Sequence, residues 1–558
     1  MVLAGCDTVM TLPELDRPVS TTPPEVPEVP AGFEQPAPHA RAIRLTLAQW
    51  ENTVQDLLRL PEPTGFSSEL PRDALPAGFL FDNPADTLGV DQTQQEGFAR
   101  AAARVAEYVA TDPVRLAAIL PADAADTSRS LDERGNSLIA ALLPRAFRVL
   151  HNEVDAEDIA DLQTLFVTGQ TAYDEHLNDP FVGGVRLLLE GLLQSPRFLY
   201  RFELEPTDGQ LARVSATTMA SRLSYALWNT MPDDALFAAA EDGSLLDDAG
   251  LEREARRLLA SPRAKAQLER LFEAILEAKK LDDVRPSPEL FGDVPVDLGR
   301  LAREENRRFI AAILDEGGSY TDLLTSTSTF VNADTAPLYG LEGAFGAEFV
   351  RVELDPSTRR GIFTHLGFLS QFATSSDPDP IHRGVFLAKN ILCHPLSAPP
   401  DAIPPLPPPE AQESNRQLVE RHTQQPGTSC NACHATYINP LGFPFENYDA
   451  VGRVRADDRG LPLDTATSPL LDEVVSVTGA VDLADQLAAS RAAHVCLARH
   501  FIEASLGRAN HLEDDVWTAR LGGASRNGAS LEDVLVSLVL SPGFRLRSPV
   551  ELAVEGQP

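Results

Sequence analysis

The sequence predicts a mainly α protein, several packed helical units with minor β. Three observations carry that prediction. Apolar residues recur at helical spacing in segment after segment, each opened by a capping residue or closed by Pro or Gly. At 558 residues, 43% of them hydrophobic, the chain is too long for one core and apolar enough to fill several. β-type patterning is confined to short pieces over 462–480, where Val474, Val475 and Val477 stand among turn residues.

In chain order, Leu3-Ala4-Gly5-Cys6 has the form of a lipobox, which makes Cys6 a lipidation candidate. Only five residues precede it, with no basic n-region and no full apolar h-region. Two accounts stand, a truncated signal or a coincidence of small residues. The first is preferred because a polar, Pro-rich tether follows over 7–40. Thr46 with Gln49 forms a capping box, and Leu47, Trp50, Val54, Leu57 and Leu58 share the face of the helix it opens. Pro61 and Pro63 stop that helix, 66–90 reads as loop plugged by Phe79, Leu80 and Phe81, and helical patterning resumes over 91–119.

Two helices are expected between Ser137 and Phe166 and a third from Val182 to Leu193. The last ends at Ser195-Pro196, and its closing stretch, Leu193–Arg201, is echoed by Val539–Arg547 and more weakly by Leu259–Arg263. Ser can cap the next turn and Pro fits its first position, so the echo is a repeated helix stop. Ser215 opens a helix to Trp228, Met231-Pro232-Asp233-Asp234 breaks it, and helices follow over 249–259, 263–280 and 297–316. Phe330-Val331-Asn332 reads as loop, Gly361–Phe372 as helix, and Asp377–Gly384 as a turn that starts another helix. A Pro-rich strap spans 395–409, a helix around 410–423 follows it, and a final helical pair is expected over 482–507 and 530–540.

Between strap and final pair stands Cys430-Asn431-Ala432-Cys433-His434. Two cysteines three apart with an adjoining histidine form the attachment pattern for one covalent haem c. Each thiol adds to one vinyl group, and His434 becomes an axial ligand of the iron. Positions i, i+3 and i+4 share a helix face, so the three side chains address one flat macrocycle. A zinc site would need more Cys or His nearby, and only His422 is close in sequence. The aromatic stretch Asn439–Asp449 is expected to be a loop covering the haem edge, with the Pro440 carbonyl accepting from His434 Nδ1.

The charge of −35, from 47 basic and 82 acidic side chains, argues against nucleic acid and anionic membrane surfaces as partners. It suits a soluble acidic surface, or docking of a basic redox partner protein. Covalent haem attachment implies an oxidising bacterial compartment, the periplasm or cell envelope, in which Cys393 and Cys496 could pair. No run reaches transmembrane length, so membrane association would rest on the lipid anchor. No Walker A loop, HExxH, G-x-S-x-G or dinucleotide fingerprint is present. Asp377 and Asp379 could serve Ca²⁺, though a Pro-spaced turn accounts for them better. The expected division is 1–40 start and linker, 41–125, 135–205 and 210–345 helical units, 357–460 the haem-binding unit and 461–550 a C-terminal helical unit.

Several stretches resemble the planctomycete-type cytochrome c-containing proteins, large envelope proteins of stacked domains of unknown function. They are Arg44-Leu45-Thr46 with Asn52 and Asp56-Leu57-Leu58, Arg145–Arg148, Ser221–Tyr225 with Met231–Asp234, and Arg383-Gly384. The haem motif, Pro440–Phe443, Glu446-Asn447, Asp449, Gly452-Arg453 and Leu506–Arg508 complete the set. The resemblance covers residues 40–550 and implies the architecture with its C-terminal CxxCH haem unit, but no particular reaction. His382 stands where another residue is usual.

A low-spin electron carrier needs a second axial ligand, commonly Met or His. The four methionines, Met1, Met10, Met219 and Met231, all precede the motif. Met231 is a candidate, although core filling is the commoner role. His494, His500 and His511 follow the motif, and the first two, six apart, do not share a helix face. His365, His382 and His394 are alternatives. An envelope electron-transfer cytochrome is therefore the leading expectation. A peroxidase-like oxidoreductase with an open iron position and a non-catalytic binding scaffold stapled by haem remain alternatives.

Overall fold

The computed structural model describes residues 37–549 apart from His39, Ala77, 174–178, 206–209 and 397–405. Cys6, the start of the chain and the middle of the Pro-rich strap lie outside the described residues. The architecture is mainly α, with five two-stranded antiparallel pairings among the described residues.

Helix Leu47–Leu57 opens with the Thr46/Gln49 capping box, and its apolar face buries Trp50, Val54 and Leu57. Trp50 Nε1 donates to the Leu193 carbonyl at 3.4 Å, which ties this helix to Pro180–Gln194. Helices Gln92–Ala110, Leu131–Phe147 and Ala156–Ala172 complete the N-terminal core, in which Met231 is buried too. A second, larger core takes in Phe81 and then residues from Val214 to Phe544, and gathers the central helices, the segment around the cysteine motif and the C-terminal helices.

The repeated helix stop is a structural device as well as a sequence echo. Ser195, Ser261 and Ser541 each cap a helix with Pro in its first turn. After Pro196–Leu199 the chain enters strand Tyr200–Phe202, paired with Ala42–Arg44. After Pro542–Arg545 it enters Leu546–Arg547, paired with Ala212–Arg213. A buried arginine collects the carbonyls of each copy. Arg148 donates to Arg197, Phe198 and Tyr200, and Arg222 donates to Phe544 and Leu546 while pairing with buried Glu203.

Four local expectations need correction. Phe330 and Val331 form strand Ser328–Val331, paired with Val350–Glu353, a partner too distant in sequence for local pattern to reveal. The helix expected over 482–507 is two, Gly479–Ala489 and Arg491–Leu506, because Ser490 ends one and caps the next. Helix Asp515–Arg526 was not expected, since its two glycines blur the apolar period. The aromatic stretch after the motif is a run of short helical turns, Asn439–Gly442 and Phe443–Phe445.

Candidate haem-attachment site

Thr428 caps the short helix Ser429–Cys433, its hydroxyl accepting from the Asn431 amide. Both cysteines are free thiols, Cys430 exposed and Cys433 half-buried. His434 continues in helical conformation, so the i, i+3, i+4 face exists. Over His434–Ile438 the winding then widens to a π-turn, with the Asn439 amide donating to the His434 carbonyl. Such single turns widen the helix by one residue and bring i+5 into register with i.

That register decides what His434 touches. Its Nδ1 lies 3.0 Å from Asn439 Oδ1. The expected acceptor, the Pro440 carbonyl, takes the Thr467 hydroxyl at 2.8 Å instead and so holds the segment to strand Ala466–Thr467. Asn439 is fully buried, and its Nδ2 donates to Thr423 Oγ1 at 2.9 Å. Thr423 in turn donates to the Val419 carbonyl at 2.7 Å. Burial depresses the His434 pKa, the Asn439 hydrogen bond partly opposes this, and nearby His422 adds to the depression. The imidazole is therefore neutral at neutral pH, the form that can ligate a metal.

The segment rests on Pro380–Phe386 with almost no space between the backbones. A Cβ on Gly384 would stand 2.0 Å from the Ile438 carbonyl oxygen, and one on Gly442 would stand 1.9 Å from that of Pro380. Arg383, fully buried, donates to the Leu369 and Phe445 carbonyls. Below this, buried Glu446 takes Arg455 at 3.0 Å and Asn415 at 3.3 Å. The quoted Arg383-Gly384, Leu441-Gly442 and Glu446 positions therefore build the support on which the motif sits.

Cys393 and Cys496 form a disulfide, with Cα atoms 5.4 Å apart, across a sequence separation of 103 that encloses the motif. Next to it, the His394 ring lies 5.3 Å from Tyr437 and its Nε2 meets the Leu470 carbonyl at 3.0 Å. Apart from His511, the other axial-ligand candidates are packed in cores or paired. Met219 and Met231 are core side chains. His494 meets Ser525 Oγ and the Ala488 carbonyl with its two ring nitrogens. His500 Nε2 meets the Asn390 carbonyl at 2.8 Å. His365 is buried against Phe309, and His382 pairs with Asp379 at 2.6 Å. His511 precedes the turn Leu512–Asp514. Asp377 pairs with Arg459 while Asp379 caps the helix Pro380–Phe386, which leaves their turn without need of a cation.

Two thiols and a neutral imidazole on one helical face, with Nε2 making no hydrogen bond among the described residues, are a donor set that fits a covalent haem. Asn439 and Thr423 escaped the sequence reading because their pairing to His434 depends on the π-turn.

Four family models, each described as a protein of unknown function, match the chain in succession. PSD3 (DUF1587) matches residues 44–111, PSD5 (DUF1595) 135–203, PSD4 (DUF1592) 214–341 and PSCyt3 (DUF1588) 359–458. The last spans the cysteine motif and its support. No curated protein and no solved structure matches. The chain is thus a multidomain protein carrying four domain types of unknown function, all of the planctomycete cytochrome c-associated kind.

Proposed function

We propose that the protein is a cell-envelope c-type cytochrome with one covalent haem c, acting in electron transfer. The observation that carries the reading is the joint presentation of Cys430, Cys433 and His434, with His434 held at Nδ1 and its Nε2 making no hydrogen bond among the described residues. Cys430 and Cys433 would hold the porphyrin edge and His434 the iron. When bound, the haem supplies reversible one-electron chemistry. The chain's own part is positional: Asn439 fixes the imidazole, and the Gly384/Gly442 contact holds the motif helix against the large core.

The Cys393–Cys496 disulfide supports an oxidising compartment, the periplasm or envelope, as the working location. A lipid anchor at Cys6 would keep the chain at the membrane. A charge of −35 suits a basic redox partner protein. The test is a pyridine haemochrome assay with oxidised and reduced visible spectra on the secreted chain. The expected result is one covalent haem per chain, and a colourless chain overturns the proposal.

One observation favours a second reading. Both Met219 and Met231 are locked in cores and His494 has both nitrogens engaged, which supports an open or weakly held sixth position. A haem-dependent, peroxidase-like oxidoreductase would then show a high-spin resting spectrum and peroxide turnover. A binding scaffold stapled by haem would instead keep its partner binding after Cys430→Ser.

A further inference from the structure

We infer that Asn439, oriented by Thr423, sets the tautomer of His434 before any haem arrives. The purpose of this device rests on reading His434 as the axial ligand, but its existence does not. Thr423 has a single hydroxyl hydrogen, and it points to the Val419 carbonyl, a group that can only accept. Toward Asn439, Thr423 Oγ1 can therefore only accept. Of the two ends of the Asn439 amide, only Nδ2 can donate to it. The amide is thereby fixed with Oδ1 facing His434, and Oδ1 can only accept. Nδ1 must then carry the hydrogen, which leaves the Nε2 lone pair unprotonated.

Burial makes the arrangement binding. Asn439, Thr423 and Val419 are all buried and His434 is half-buried, so solvent has little access to the Asn439 side of a mismatched pair. The opposite tautomer would set the Nδ1 lone pair against the Oδ1 lone pairs and leave a hydrogen bond unmade in the interior. The π-turn His434–Ile438 is what brings residue i+5 over the ring, and the close contact of Gly384 on Ile438 braces that same turn. Asn439 is a positioning residue here. It uses a neutral side-chain amide, locked by a hydroxyl one step further out, to aim the histidine and sustain its basicity.

The test uses the full-length chain with Cys430→Ser and Cys433→Ser, secreted so that the Cys393–Cys496 disulfide forms, and labelled with ¹⁵N-histidine. Long-range ¹H–¹⁵N correlation at pH 8 reads the tautomer of each imidazole, and His434→Gln assigns the signal. The expected result is Nδ1–H in excess by roughly tenfold or more. Asn439→Leu should shift His434 toward the Nε2–H form that free imidazole side chains prefer. Thr423→Val, which changes a hydroxyl for a methyl and keeps the shape, should give an intermediate mixture because the amide can then turn over. It carries the test if Asn439→Leu does not fold. A parent spectrum dominated by Nε2–H, or a tautomer ratio unmoved by both variants, overturns the inference. In the haem-loaded chain, Asn439→Leu should raise the reduction potential, because a less basic axial imidazole stabilises the oxidised iron less. A chain without covalent haem would sink the proposed function while leaving the tautomer result standing. Haem with the wrong tautomer in the Ser variant would do the reverse.

Discussion

Glu305 is a fully buried carboxyl in the central helix Leu298–Asp315. Its Oε1 accepts from Thr329 at 2.5 Å and from the Tyr339 hydroxyl, while Oε2 has no hydrogen-bond partner among the described residues. Burial pushes its pKa up from 4.5 to about 7, against the hydrogen bonds of Thr329 and Tyr339 and the attraction of Arg359. The unfolded chain releases this proton near the ordinary value, and the folded chain keeps it until about pH 7. Folding thus takes up a proton between those limits. The stability from this residue is fully present below pH 4.5 and falls away as the pH rises through 7. The shift is worth on the order of 3 kcal/mol between pH 4.5 and 8. Glu305→Gln keeps the shape and removes the titration, so urea unfolding at pH 5 and pH 8 should show a smaller pH loss for the variant than for the parent. Equal losses would refute the assignment. Buried Glu446 is raised to about 7 as well, chiefly by burial, but it is present in both chains and cancels in the comparison.

At the scale of elements, the contact between Pro380–Phe386 and the motif's helical turns is set by glycine. Alanine at Gly384 would drive its Cβ to 2.0 Å from the Ile438 carbonyl oxygen, a backbone atom with nowhere to go. Gly384→Ala should cost about 3 kcal/mol of stability by overpacking, measured by denaturant unfolding. Gly523 is the matched control. It lies inside helix Asp515–Arg526 with nothing within 4 Å of its would-be Cβ. Gly523→Ala should therefore be neutral or stabilise by up to about 1 kcal/mol through helix propensity alone. The same elements show what could be read in advance. Thr46/Gln49 and the Ser-Pro stops were legible because a cap is settled within four residues. The Cys-x-x-Cys-His spacing is equally local, which is why its helical face could be anticipated. The π-turn was not, because its extra residue is tied to the packing of Gly384 and Gly442 on distant backbone. Hence Pro440 was assigned a hydrogen bond that Asn439 makes one residue earlier. Strand Ser328–Val331 was missed for a related reason, since its partner is a non-local strand.

Across the whole molecule, the large core joins the central helices, the motif segment and the C-terminal helices, and one covalent bond crosses it. The Cys393–Cys496 disulfide spans 103 residues in sequence and closes a loop that contains the entire Cys430–His434 region. Sequence alone could only name the pair as candidates, because nothing local reports the proximity of residues so far apart. In the chain-entropy account, a loop of that length restricts the unfolded chain by about 4–5 kcal/mol. Cys496 is fully buried, and its sulfur lies 3.6 Å from the Asn390 carbonyl oxygen and from His500 Nε2. The double variant Cys393→Ser with Cys496→Ser should therefore lose about 4 kcal/mol in denaturant unfolding. The loss is best measured in a Cys430→Ser/Cys433→Ser background, where no haem can contribute to stability. The transition should move to lower denaturant as a whole, because the bond ties together segments of one core. A separate early transition confined to the motif segment would show instead that this segment folds independently of the large core. The Ser541–Arg547 stop offers an internal reporter. Arg222 binds its carbonyls and pairs with Glu203, linking the last strand to the residue that follows strand Tyr200–Phe202. In a Trp50→Phe/Trp517→Phe background, emission from Trp228, which donates to the Leu258 carbonyl in the large core, should follow the same single transition as the backbone signal while the disulfide is intact. Loss of that coincidence in the serine variant would locate the disulfide's contribution in the cooperativity of the core.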